Sequence, residues 1–200
     1  MSVAMDLRPE VLQGRFVRLE PYAPGLKEEL RVALDCDADG WSLVSSSGQG
    51  EHFEGWWGKA GDNIAKGEWI SFAIRRLADG RVVGCSSYLN IRREHGGLEI
   101  GATFLHPDAR SSQVNPEAKR LMLAHAFAGG ALRVEVLTDL RNRRSQAAIA
   151  KLGAVREGVL RRHKITWTGH VRDTVVFAIT DLDWPAVREG LDARLLGNGR

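Results

Sequence analysis

Cysteine is nearly absent from this chain: 200 residues hold two, Cys36 and Cys85, with neither a CxxC pair nor zinc-type spacing. That argues against a disulfide framework and a metal centre, and for a reducing, cytoplasmic setting. Long apolar runs are lacking too. The opening MSVAMDLRPEVLQGRF has no stretch of signal-peptide or membrane-span length, so no membrane partner is expected. Repeats, low-complexity segments and linker-like stretches are missing as well. A strong charge of one sign is also missing. The net charge of +3 suits a polyanionic small molecule and is too weak to argue for nucleic acid. What is present is an ordinary globular balance, 44% hydrophobic and 26% charged, on a length sufficient for one sizeable core and short for two. A single domain over residues 10–196 is the expectation.

Periodicity orders the chain. RFVRLE at residues 15–20 alternates as a half-buried strand does, and residues 26–65 read as irregular helix broken at SSSGQG. WISFAIRR and RVVGCSSYLNI flank a turn at residues 78–80, and LEIGATFL follows the turn REHGG as a strand over 98–105. A helix over 116–128 is apolar around most of its circumference, which predicts cover on more than one side. LRVEVLT is a strand, RRSQAAIAKL a helix closed by Gly153, and residues 158–167 with 171–180 a final hairpin. A last helix starts near Asp183-Trp184-Pro185. This order predicts a mixed α/β fold on a largely antiparallel sheet, with one parallel crossover through the 116–128 helix.

The corner RSSQVN at residues 110–115 joins strand to helix and admits two readings. Asn115 as N-cap and Pro116 as first helical residue are plain punctuation. The same corner also suits an anion. Free N–H groups at a helix start point along the positive end of its dipole, Arg110 adds a bidentate donor, and Ser111, Ser112 and Gln113 add smaller ones. Local sequence leaves the two readings even.

Wider motifs tip the balance. Val114, Asn115, Glu117 and Lys119 match V-N-x-E-x-K. Asp139, Arg141, Asn142, Arg144, Ser145, Ala148, Ile149, Lys151, Leu152 and Gly153 match D-x-R-N-x-R-S-x-x-A-I-x-K-L-G. With QGRFVRLEPY before them and VRDTVVFAITDLDWP after, these motifs resemble the GNAT N-acetyltransferase superfamily, in its RimJ/RimL-like branch, over roughly residues 12–195. The resemblance implies a GNAT-type twisted sheet flanked by helices, with the parallel βαβ crossover at a cofactor cleft. It implies acetyl-CoA as co-substrate and no metal. Cofactor contacts would come from Phe104, Leu105, Arg110, Ser111, Ser112, Gln113, Val114, Asn115, Asn142, Arg144 and Ser145. The family loop usually has glycines where Ser111 and Gln113 stand here, and such residues serve if they keep φ negative.

Acyl transfer from a thioester to an amine needs a base for the amine and a donor for the leaving sulfur. Strict alternation places Glu99, Gly101 and Thr103 on one strand face, a carboxylate with room beside it, and Leu98, Ile100, Ala102 and Phe104 on the other. The resemblance makes Glu99 the base, against the plainer readings of a structural glutamate paired with an arginine or a solvated one on an exposed face. Ser145 shares the apolar stripe of its helix with Ala148, Ile149 and Leu152. The resemblance makes it the donor, since the family's tyrosine position falls at Ile149 and the RimL-like branch uses the serine. Its plainer use is back-bonding or capping.

Asn142 is an N-cap on any reading, while Arg144 and Lys151 read as a solvated face. His106 and His163 could each be a base, but a lone histidine beside a turn or in a hairpin is more often structural. Trp41, Trp56 and Glu99 are the candidate acceptor contacts, with His52, Phe53 and Trp57 nearby, although clustered tryptophans are more often core. The implied function is acetylation of a small primary amine or a protein N-terminus by direct attack in a ternary complex. A CoA-binding sensor or structural subunit without turnover is the alternative. Dimers are common in that superfamily, so a homodimer is an option.

Overall fold

Alternation lays down the strands. In strand β2 (Val17–Pro21), Val17 and Leu19 are fully buried in one core. A two-residue strand, β1 (Leu12–Gln13), precedes it and is too short to show a pattern in sequence. Strands β3 (Ile70–Arg76) and β4 (Val82–Arg92) form the expected hairpin, and β5 (Gly97–Leu105) follows the turn at Arg93–His95. Strands β6 (Arg133–Asp139), β7 (Val155–Ile165) and β8 (Val171–Thr180) complete the sheet. This is a computed structural model, and it describes residues 5–197. The spatial order is β1-β2-β3-β4-β5-β6-β8-β7, antiparallel except for β5 against β6. A parallel neighbour requires a crossover, and helix α4 (Val114–Ala128) supplies it, two residues earlier than the expected start at Pro116.

Each face of the sheet has its own core. Helices α1 (Lys27–Leu34), α2 (Ala38–Trp41) and α3 (Phe53–Ala65) pack Leu30, Leu34, Trp41 and Phe53 on Ala73, Cys85 and Phe104. On the opposite face α4 and the last helix, α6 (Trp184–Gly197), pack Met122, Leu123 and Leu191 on Leu19, Ile100 and Val175. Helix α4 thus lies between the sheet and α6, which accounts for its apolar circumference. Its Glu117 carboxylate accepts the backbone N–H groups of Arg15, Phe16 and Val17 at 2.8, 2.6 and 2.8 Å, tying the helix to the start of β2.

Two irregularities in the sheet prepare a site. Ala102 has φ +46°. Across it, pairing with β4 jumps from Gly101↔Ser87 to Phe104↔Cys85, so two residues of β5 face one of β4. This β-bulge overturns strict alternation. Phe104 turns to the α1–α3 face, and Thr103 turns to the α4 face, where its Oγ1 accepts from Lys119 Nζ at 2.6 Å. Second, β5 pairs with β6 only at residues 97–99 against 133–135. Beyond Glu99, β5 stays with β4 and β6 stays with β8, so the parallel strands part. Their carboxyl ends lead into α4 and into α5 (Arg143–Ala150), and both helix N-termini stand at the mouth of the opening.

Candidate active site

The mouth is lined by unpaired amides. The backbone N–H groups of Ser111, Ser112, Gln113 and Asn115 have no hydrogen-bond partner among the described residues. Asn115 is therefore not the N-cap; Gln113 holds that position and Asn115 is the second helical residue. Ser112 does the capping, since its Oγ accepts from Val114 N–H at 3.2 Å and donates to Ala109 O at 2.6 Å. Pro116 still falls in the first turn, where its missing N–H leaves nothing unsatisfied. Ser111 has φ +55°, so the expectation of negative φ fails there and holds at Gln113, with φ −75°. Ser111 thus occupies a backbone state in which glycine is free of strain.

Arg110 is not loose on this loop. Its Nε donates to Leu105 O at 3.0 Å, and Nη2 lies 2.5 Å from Asp37 Oδ2. Asp37, held at φ 58°, opens α2, so the ion pair fastens the acceptor-side helices to the loop before α4. Arg144 is mostly exposed and lies 3.8 Å from the same carboxylate. Val114 and Phe104 are buried, and what they can offer a ligand is backbone.

At the other helix, Asn142 Oδ1 accepts Ser145 N–H at 2.9 Å, an N-cap as expected. The half-buried Ser145 hydroxyl neither back-bonds nor caps; it has no hydrogen-bond partner among the described residues. Ile149 is buried in the core. His106 Nδ1 accepts from Asp108 N–H at 3.3 Å and shapes the turn after β5. His163 is an exposed residue of β7.

Glu99 stands at the closed end of the opening, as the last residue of β5 paired with β6. It is 4% exposed, and its Oε2 accepts from Asn90 Nδ2 at 2.8 Å. It makes no ion pair among the described residues, which removes the reading of a salt-bridged structural glutamate. Burial raises its pKa above the ordinary carboxylate range, opposed by Lys164, Asn90 and Arg172. Asn90 holds φ 49°, a conformation asparagine tolerates better than most residues. Its part in the site has no mark in the sequence beyond an asparagine within a strand.

A small cleft of about 20 Å³ on the α1–α3 face is lined by Tyr22, Trp56, Trp69, Ser71, Ser87 and the bulge residue Ala102. Trp56 lines this cleft. Trp41 does not. It is 3% exposed and stacked on Phe104 at 4.2 Å, with its Nε1 bound to Leu34 O, so it is core. Sequence reasoning also missed Lys119, a fully buried amine bonded to Ser86 and Thr103, whose pKa burial pulls down to about 7.

The acetyltransferase (GNAT) domain family matches residues 17–155. No curated protein matches the chain. Among solved structures, a GCN5-related N-acetyltransferase from Brucella melitensis is 27% identical at TM-score 0.87, covering 94% of this chain and 86% of that one. A T. thermophilus protein described as an acetyltransferase is 37% identical at TM-score 0.81, covering 96% of this chain and all of that one. Mycobacterium smegmatis RimJ, solved with CoA-disulfide, shares the fold at TM-score 0.79 and 20% identity, covering 93% and 95%. With the parted parallel strands, the bulge and two helix N-termini at one mouth, the chain belongs to the GNAT acetyltransferase family.

Proposed function

We propose that residues 10–196 act as one acetyl-CoA-dependent N-acetyltransferase of the RimJ/RimL-like kind, cytoplasmic and acting on a small primary amine or a protein N-terminus. The observation that carries this reading is Glu99: a buried, Asn90-held carboxylate where β5 and β6 part, with free amides at the mouth of the same opening. Those amides, of Ser111, Ser112, Gln113 and Asn115, suit the diphosphate of CoA, because a helix N-terminus attracts an anion and offers N–H donors at once. The unpaired edges of β5 and β6, with Leu105 and Asn142 beside them, take the arm of the cofactor. Arg110 acts from behind, holding the loop to Asp37. Acetyl-CoA supplies the acetyl group as a thioester.

Glu99 then removes the proton of the incoming amine, directly or through one water, from the cleft beside Trp56. Its raised pKa improves it as a base near neutrality. Ser145 offers its free hydroxyl to the departing sulfur, a hydrogen bond rather than a full proton transfer. Thiol release from acetyl-CoA with a panel of amines and peptides tests the reading. Ser145→Ala should lower kcat by about tenfold or more while acetyl-CoA affinity holds, the pattern of an interaction made only in the transition state. CoA binding without thiol release on any amine would leave a CoA-binding protein in place of a transferase.

A further inference from the structure

Arg172 is a buried arginine without a counter-ion. It is 6% exposed, and its guanidinium donates only to hydroxyls: Nε to Thr174 Oγ1 at 2.9 Å and Nη1 to Ser45 Oγ at 3.3 Å. Hydroxyls satisfy hydrogen bonds but do not offset a buried charge, and burying a cation unpaired is costly. Nη2 has no partner among the described residues. Nη2 is not sealed from solvent, so it keeps an open side.

Strand register places Arg172 on the same sheet face as Glu99. Glu99 lies across from Glu135, Asp139 lies across from Thr174, and Arg172 is two residues before Thr174. The other carboxylates of this face are already claimed. Asp139 is held by Arg141 at 2.8 Å, and Glu135 by Arg133 at 3.0 Å and Arg92 at 3.3 Å. Directly opposite Arg172 in the ladder stands another cation, Lys164, with no ion pair among the described residues. Like charges facing each other across strands repel. Both cations act on Glu99 through space. The face therefore holds a base at one point and, on the same side, a guanidinium that feels Glu99 and Asp139 through space but has no carboxylate within ion-pair distance among the described residues. Ser45 belongs to the α2–α3 connection, so the guanidinium also touches the segment that covers the acceptor side.

We infer that Arg172, with Lys164 beside it, forms an anion subsite for the acceptor, so that the preferred substrate is an amine carrying a carboxylate or phosphate. The inference rests on the transferase reading for its placement of the amine at Glu99. A guanidinium fork matches either anion with two parallel N–H donors. Held there, the anion sets the distance from which the amine reaches the base.

Matched pairs test this: α-amino acids against their primary amides, and O-phosphoethanolamine against ethanolamine, each with acetyl-CoA in thiol release. The anionic member of a pair should show a kcat/KM higher by about tenfold or more, and the pair that shows it tells carboxylate from phosphate. Arg172→Met should raise KM for that acceptor at least about tenfold, abolish the discrimination and leave the KM for acetyl-CoA unchanged. Arg172→Lys, which keeps the charge and loses the fork, should fall between. The wild-type comparison needs no variant, so a misfolded Arg172→Met leaves the proposal open to refutation. Equal turnover of both members of every pair overturns it. Calorimetry of the same pairs on CoA-loaded protein separates the two claims. Anion binding that depends on Arg172, without turnover of any amine, removes the transferase and keeps the subsite; no anion binding removes the subsite.

Discussion

Glu99 and Lys119 show how much burial does to single residues. Glu99 is almost wholly shielded from solvent, and its pKa is pushed up by that burial before any neighbour acts. A base must be deprotonated, so the rate should rise with pH through an inflection above the ordinary glutamate pKa of about 4.3. Glu99→Gln should lower kcat by roughly 10²–10⁴-fold and erase that inflection in the kcat–pH profile. An unchanged profile removes Glu99 as base. Lys119 carries the opposite shift: burial draws its pKa down to about 7. The unfolded lysine titrates at about 10.4. Between those values the unfolded chain binds more protons than the folded one, so Lys119 makes stability rise with pH from about 7 to about 10. The slope from this one group is at most about 1.4 kcal/mol per pH unit. Lys119→Met should flatten that rise in urea-denaturation midpoints, with Ser86 and Thr103 left bonded to each other at 2.8 Å.

At the scale of elements, the loop before α4 carries backbone strain. Ser111, exposed and at φ +55°, carries a conformational cost of about 1 kcal/mol that glycine escapes. Ser111→Gly should therefore raise the melting midpoint by a few degrees, roughly 2–4 °C for about 1 kcal/mol in a chain of this size. It should leave CoA affinity intact. A lower midpoint would mean that the serine side chain stabilises the loop in a way its contacts do not reveal. Strand β5 makes the same point through its bulge. One extra residue at Ala102 sends Phe104 to the α1–α3 core and Thr103 to Lys119, which strict alternation in LEIGATFL cannot foretell.

For the molecule as a whole, the opening proposed for the cofactor is where two halves of the sheet part, β1 to β5 on one side and β6 to β8 on the other. They remain joined by three residue pairs, at 97–99 with 133–135. A ligand seated there bridges both halves and binds the folded state alone. CoA at about one hundred times its Kd should then stabilise the protein by about 2.7 kcal/mol, read as a shift in the thermal midpoint. No shift at saturating CoA would contradict the assignment of this opening.

The sequence alone determined the succession of strands and helices, the parallel crossover, the capping role of Asn142 and the family to which the motifs pointed. Those features follow from local period, capping chemistry and contiguous motifs, each held within a few residues of chain. It also singled out Glu99 and Ser145, though not the surroundings that distinguish them from ordinary residues. Tertiary structure decided the rest. It turned Trp41 into core and left Trp56 in the cleft, moved the cap of α4 from Asn115 to Ser112, and gave Arg110 to Asp37. It also set Arg172 on the face of Glu99, with the nearby carboxylates taken. Residues 99 and 172 share a face only because strand register chooses which side chains point the same way. Register is a property of paired strands, and no single strand carries it.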